Sequence, residues 1–129
     1  MIWDEVKNYI KNTYKYDEDA NGLISLAFNL PGGRSQRAVI GFAKSQNGKE
    51  WIKFTSAIGD VPASLLPKVL LYAFQYNGGA IAALAEDLYV VTNSCLLSSF
   101  STEEFETILE TTLFLADGIE KDILGQDKY

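Results

Sequence analysis

The hydrophobic period changes several times along the chain, and the order of those changes constrains the fold more than any single motif. Near the start, Ile2, Val6, Tyr9, Ile10 and Thr13 fall on one side of a helical wheel, with Trp3 and Tyr14 at its edge. Asp4, Lys7, Asn8, Lys11 and Lys15 fall opposite, which predicts an amphipathic helix over 2–15. The period then drops to two. Ile24, Leu26, Phe28 and Leu30 share one face of a predicted strand that Pro31-Gly32-Gly33 stops. A second strand is expected over Arg37–Lys44, and Asn47-Gly48 is a strong hairpin signal. The third strand, Glu50–Ile58, places Ile52, Phe54 and Ile58 on one face.

The second half returns to the helical period and repeats the switch. Ser64 is the expected N-cap of a middle helix, with Pro67 in the first turn, where its missing N–H costs nothing. That helix runs through Lys68–Tyr76 and should stop at Asn77-Gly78-Gly79. Ala80–Ala85 reads as a short strand, Glu86-Asp87 as a turn and Leu88–Leu97 as a longer strand. Ser101 opens the last helix, and Glu104 completes a Ser-x-x-Glu capping box. Its apolar stripe is Phe105, Ile108, Leu109, Thr112, Ala116, Ile119 and Ile123. The order α-β-β-β-α-β-β-α predicts an α+β domain of two layers, an antiparallel sheet packed with helices. A chain of 129 residues without repeats or linkers makes 1–129 one domain.

Composition narrows the function by exclusion. No run approaches the roughly 20 apolar residues of a membrane span. Met1-Ile2-Trp3-Asp4-Glu5 has acids where a signal peptide needs bases and then an apolar run. A single cysteine, Cys95, fits a reducing compartment, and the expected location is cytoplasmic. Histidine is absent, which removes the commonest general base and the commonest zinc ligand. Eleven basic against seventeen acidic residues give a charge of −6, a poor match to phosphate backbones or anionic lipid. The expectation is therefore a chain that is not an enzyme, takes no cofactor or metal, and binds neither nucleic acid nor membrane.

Several local patterns resemble sites. Asp17-x-Asp19-x-Asn21-Gly22 opens like a calcium loop, but its twelfth position, which should be glutamate, is Phe28, and strand-like alternation follows. An acidic turn with Asn21-Gly22 at positive φ is the simpler reading. Gly32-Gly33 and Gly78-Gly79 lack the lysine of a phosphate loop and read as turns. Cys95 has no base to activate it and reads as a small buried hydrophobe. Arg34, Arg37 and Lys44 are basic strand ends that could receive an anion or simply dress a sheet edge.

Two groups of apolar residues have no obvious place inside. In the middle helix, Leu71 and Phe74 project away from the face that Leu65, Leu66, Val69, Tyr72, Ala73 and Tyr76 present to the sheet. A helix apolar nearly all round needs a second cover, and a second copy of the chain supplies one. Leu71 and Phe74 are thus the expected homodimer contact. In the last helix, Phe114 lies opposite the stripe, beside an acidic band of Glu103, Glu106, Glu110 and Asp117. These five residues are the candidate surface for a protein partner carrying basic and apolar residues; the alternative is a solvated helix face.

The order of elements and certain strings resemble the secretion-chaperone-like superfamily, which includes CesT/Tir-type chaperones of type III secretion and YbjN-type putative regulators. Ile58-Gly59-Asp60-Val61-Pro62 is similar to the entry to its middle helix, and Leu70-Leu71-Tyr72-Ala73-Phe74-Gln75-Tyr76-Asn77 to that helix. Leu88-Tyr89-Val90-Val91 and Phe100-Ser101-Thr102-Glu103-Glu104-Phe105 are similar to the final strand and capped helix. The resemblance implies a small acidic homodimer, without enzymatic activity, that binds an extended client segment of another protein. The alternatives are a YbjN-like regulatory or adaptor domain of unknown ligand, and a small-ligand or calcium-binding domain.

Overall fold

The computed structural model describes residues 2–76, 79–86 and 88–125. The first helix, α1 (Trp3–Thr13), carries Asp4 and Glu5 in its first turn and Lys11 in its last, the arrangement the helix dipole favours. It is shorter than the wheel suggests. Tyr14 already has extended backbone, and its N–H closes the helix on the Ile10 carbonyl. Six strands follow: β1 (Asp17–Glu18), β2 (Ile24–Leu30), β3 (Arg34–Lys44), β4 (Glu50–Gly59), β5 (Ala80–Ala85) and β6 (Leu88–Leu96). Between β4 and β5 lies α2 (Leu66–Phe74), and after β6 comes α3 (Thr102–Ile119), which runs into a π-helical turn, Glu120–Leu124. The strands form one antiparallel sheet in the order β1-β2-β3-β4-β6-β5. The chain is an α+β domain with the expected order of elements; β1, which pairs only with Ser25 and Ile24, is an addition.

Turn chemistry explains the sheet's meander. Pro31–Gly33 makes a tight turn between β2 and β3, with φ of +81° at Gly32 and +72° at Gly33, values that side chains disfavour. Pairing of Leu30 with Arg34 resumes at once, so β3 starts at Arg34 and not at Arg37. The β3–β4 hairpin closes at Asn47-Gly48, where Ser45 and Lys49 pair through their backbones. Ser64 does not cap α2. The Pro62 carbonyl accepts from the N–H groups of Leu65 and Leu66, and the helix begins without a side-chain cap. Pro67 is in its first turn, as expected. In α3 the Ser101 hydroxyl accepts from the Glu104 N–H at 3.1 Å, the serine half of a capping box. α2 ends at Phe74, two residues before the expected end at Tyr76, while Asn77, Gly78 and the turn residue Asp87 lie outside the described residues.

The helices cover one face of the sheet over two hydrophobic clusters. In the first, Val6 and Ile10 of α1 and Phe105, Leu109 and Leu113 of α3 pack on Ile24, Leu26, Ile40, Ile52, Phe54 and Cys95. In the second, Val69 of α2 and Leu115, Ala116 and Ile119 of α3 pack on Ile58 and Val91. Polar side chains mark the passage between them. Ser56, which lies on β4 between Phe54 and Ile58, donates to the Arg37 carbonyl at 2.7 Å and accepts from Gln36 Nε2 at 2.8 Å. Asn93 Nδ2 donates to Thr112 Oγ1 at 3.0 Å. Paired in this way, Ser56, Asn93 and Thr112 avoid most of the cost of burial without partners, whereas Gln36 Oε1 accepts no hydrogen bond among the described residues. At the far end α2 rests against α3: a Cβ at Gly118 would collide with the Tyr72 hydroxyl, which donates to Asp122 Oδ2 at 2.9 Å.

Candidate partner-binding cleft

Once Ser101 fixes where α3 begins, the helical spacing decides which residues turn inward. Phe105, Leu109 and Leu113 enter the first cluster. Glu106, Glu110 and Phe114, each one position later and four apart, form an outward row beside them. This row makes one wall of a cleft of about 240 Å³. Leu109 and Leu113 floor it, and Tyr14 with Phe28, Asn29 and Leu30 of β2 makes the opposite wall. That wall is an open strand margin, because β1 pairs no further along β2 than Ser25.

The cleft is aromatic and acidic at once. Tyr14 and Phe28 meet edge to face with centroids 5.8 Å apart. Tyr9 donates to Glu106 Oε1 at 3.0 Å. Burial, a hydrogen bond with Tyr14 and the Glu106 carboxylate all push the Tyr9 hydroxyl well above its ordinary range. Burial also raises Tyr14, opposed by its bond to Tyr9 and helped by the charges of Glu106 and Glu110. Among the described residues neither Glu106 nor Glu110 is paired with a lysine or arginine. Phe114, at 47% exposure, is half covered.

The predicted acidic band divides. Glu106, Glu110 and Phe114 come together in the cleft, while Glu103 is exposed on the first turn of α3 and does not line it. Asp117 does not belong to the surface: it is buried, and Arg34 Nε reaches its Oδ1 at 2.7 Å. The wheel misplaced it because the C-terminal half of α3 and the turn after it are enclosed on more than one side, which buries Leu115 and Glu120 as well. The same pair removes Arg34 from any anion site with Arg37, which instead bonds Ser25 Oγ at 3.4 Å. Tyr14, Phe28 and Leu30 were not identified from the sequence as cleft residues. Only the chain reversal at Tyr14 and the pairing of β2 bring them to α3.

The expected dimer residues are prominent. Phe74 is 89% exposed and Leu71 68%, with Leu70 and Leu84 of β5 exposed as well. α2 sits at the β5 end of the sheet, opposite the β1–β2 end that holds the cleft.

The remaining candidates read as local structure. Asp19 Oδ1 accepts from the N–H groups of Asn21 at 2.8 Å and Leu23 at 3.0 Å, so its carboxylate closes the turn. Gly22 alone takes positive φ there; Asn21 does not. Glu18 Oε2 and Oε1 hold Lys7 and Lys11 at 2.7 and 2.6 Å. Lys11, followed by Lys7, keeps the Glu18 carboxyl down at about 2. No group of three or more Cys, Asp or Glu side chains among the described residues is arranged to hold a metal. Cys95 is buried, and burial, with the Glu104 charge second, pushes its thiol up to about 11. No described helix is long and apolar enough to cross a membrane. Comparison with protein-family models, curated proteins and solved structures returns no match.

Proposed function

We propose that this chain is a non-enzymatic protein-binding module that works as a homodimer and holds a segment of a partner protein, in the manner of secretion chaperones. The observation that carries the reading is the placement of the exposed α2 residues and of the α3–β2 cleft at opposite ends of one sheet. The α2 patch exposes Leu70, Leu71 and Phe74. Such a surface suits a copy of itself, since a two-fold axis buries the same patch on both chains. The α3–β2 feature is concave and rimmed by carboxylates, which suits an extended segment of opposite charge. With the two at opposite edges, dimerisation leaves both clefts free.

Light scattering at micromolar concentration tests the first half and should return twice the chain mass. Immobilised protein incubated with native lysate tests the second. Capture should persist in Leu71→Glu and fail in Phe114→Ala. A monomeric wild type removes the dimer, and capture indifferent to Phe114 removes the cleft.

A further inference from the structure

We infer that the cleft between α3 and β2 receives an arginine side chain of the partner segment. The inference rests on the protein-binding reading above and specifies what the cleft recognises. A volume of about 240 Å³ fits a single long side chain and not a folded surface. Its walls carry the rings of Tyr14, Phe28 and Phe114, and its rim carries the carboxylates of Glu106 and Glu110. No basic side chain lines it, and no ion pair neutralises either glutamate among the described residues. Two like charges one helical turn apart repel each other, and a cation between them relieves that repulsion. Aromatic faces attract a cation as well, so rings and carboxylates call for the same charge.

Guanidinium fits these walls better than ammonium. It is planar and weakly hydrated, stacks on rings and bonds carboxylates through two N–H groups at once. The methylene stem would lie along Leu109 and Leu113, the apolar floor. The Tyr9 hydroxyl, already donating to Glu106, holds that carboxylate in place on the rim.

The test uses isotope-labelled protein and three peptides: acetyl-Ala-Leu-Arg-Leu-Ala-amide and its versions with citrulline or lysine at the centre. Citrulline keeps the shape of arginine without the charge. The arginine peptide should shift the amide resonances of Glu106–Phe114 and Phe28–Leu30, and bind about tenfold more tightly than the citrulline peptide. Lysine should fall between them. Glu110→Gln should weaken the arginine peptide and leave the citrulline peptide unchanged. Equal binding of arginine and citrulline peptides in the cleft overturns the arginine inference while the protein-binding reading stands. Shifts confined to other residues, or none at millimolar peptide, overturn the cleft as an arginine site, while the lysate capture above decides the protein-binding reading separately.

Discussion

α2 and α3 each carry an aromatic residue off their buried stripe, and the fold treats the two differently. Phe114 of α3 is about half covered, whereas Phe74 of α2 stands 89% exposed. The cause is where each helix lies. α3 spans eighteen residues and crosses both hydrophobic clusters, so its flank meets β2 and Tyr14 rising beside it. α2 spans nine residues over the edge of the sheet and buries only Val69, and its outer residues Leu70, Leu71 and Phe74 are exposed among the described residues. An off-stripe aromatic thus becomes a cleft wall where neighbouring elements stand up around it, and a bare patch where they do not. A cleft selects a segment by chemistry, and a patch selects a matching surface.

The contrast predicts unequal costs for removing each helix's anchor. Phe105 of α3 meets the rings of Tyr9, Tyr14, Phe54 and Phe100 with centroids 5.2 to 6.3 Å away. Phe105→Ala should lower stability by about 4 kcal/mol in urea unfolding. Val69→Ala removes two methyl groups at the margin and should cost about 2 kcal/mol. Equal losses would mean that α2 is bound into the core as firmly as α3, and the account of its bare flank would fail.

Next in size is the Arg34–Asp117 pair, which decides where the surface of α3 ends. Arg34→Ala leaves Asp117 in its enclosed position without the guanidinium, at a cost of about 2 kcal/mol. Glu103→Ala, on the exposed first turn, should stay within about 0.5 kcal/mol of wild type. An Arg34→Ala protein as stable as wild type would return Asp117 to the acidic band.

These two acids also show what the sequence could and could not reveal. Residues whose neighbours lie in the same element were legible: alternation from Ile24 to Leu30 gave β2, Asn47-Gly48 gave the hairpin, and Ser101 gave the start of α3. Glu106, Glu110 and Phe114 were legible as one row for the same reason. Asp117 was not, because its burial depends on Arg34, distant along the chain. β1 has no pattern of its own; its two residues are strand only because Ser25 and Ile24 pair with them. The far wall of the cleft was hidden likewise, since only tertiary packing brings Tyr14 and Phe28 to α3.

The bare flank of α2 yields a smaller change in stability and a larger one in association. Leu71→Glu and Phe74→Glu place a charge on surface already open to water, so each should fold with stability within about 0.5 kcal/mol of wild type when compared as monomers. Each should shift the dimer toward monomer in light scattering, because the charge must be desolvated on contact. A large loss of monomer stability would show that the flank is covered within one chain.

The smallest effect concerns the strand margin that faces α3. β1 is tied to α1 by Glu18, which holds Lys7 and Lys11, and it stops short of the part of β2 that lines the cleft. The Glu18 carboxyl sits at about 2, held down first by Lys11 and then by Lys7. A carboxyl depressed on folding stabilises the native state above its unfolded range, near 4.5, and the contribution fades as pH falls toward 2. Acid unfolding of Glu18→Gln should therefore lack that part of the pH dependence and match wild type below it. The ion pairs lie at the surface, so about 1 M salt should raise the Glu18 midpoint toward the ordinary carboxylate range in an NMR titration. A midpoint already in that range at low salt would mean that the lysines do not hold β1. β1 would then be held by its backbone pairing with Ser25 and Ile24 alone.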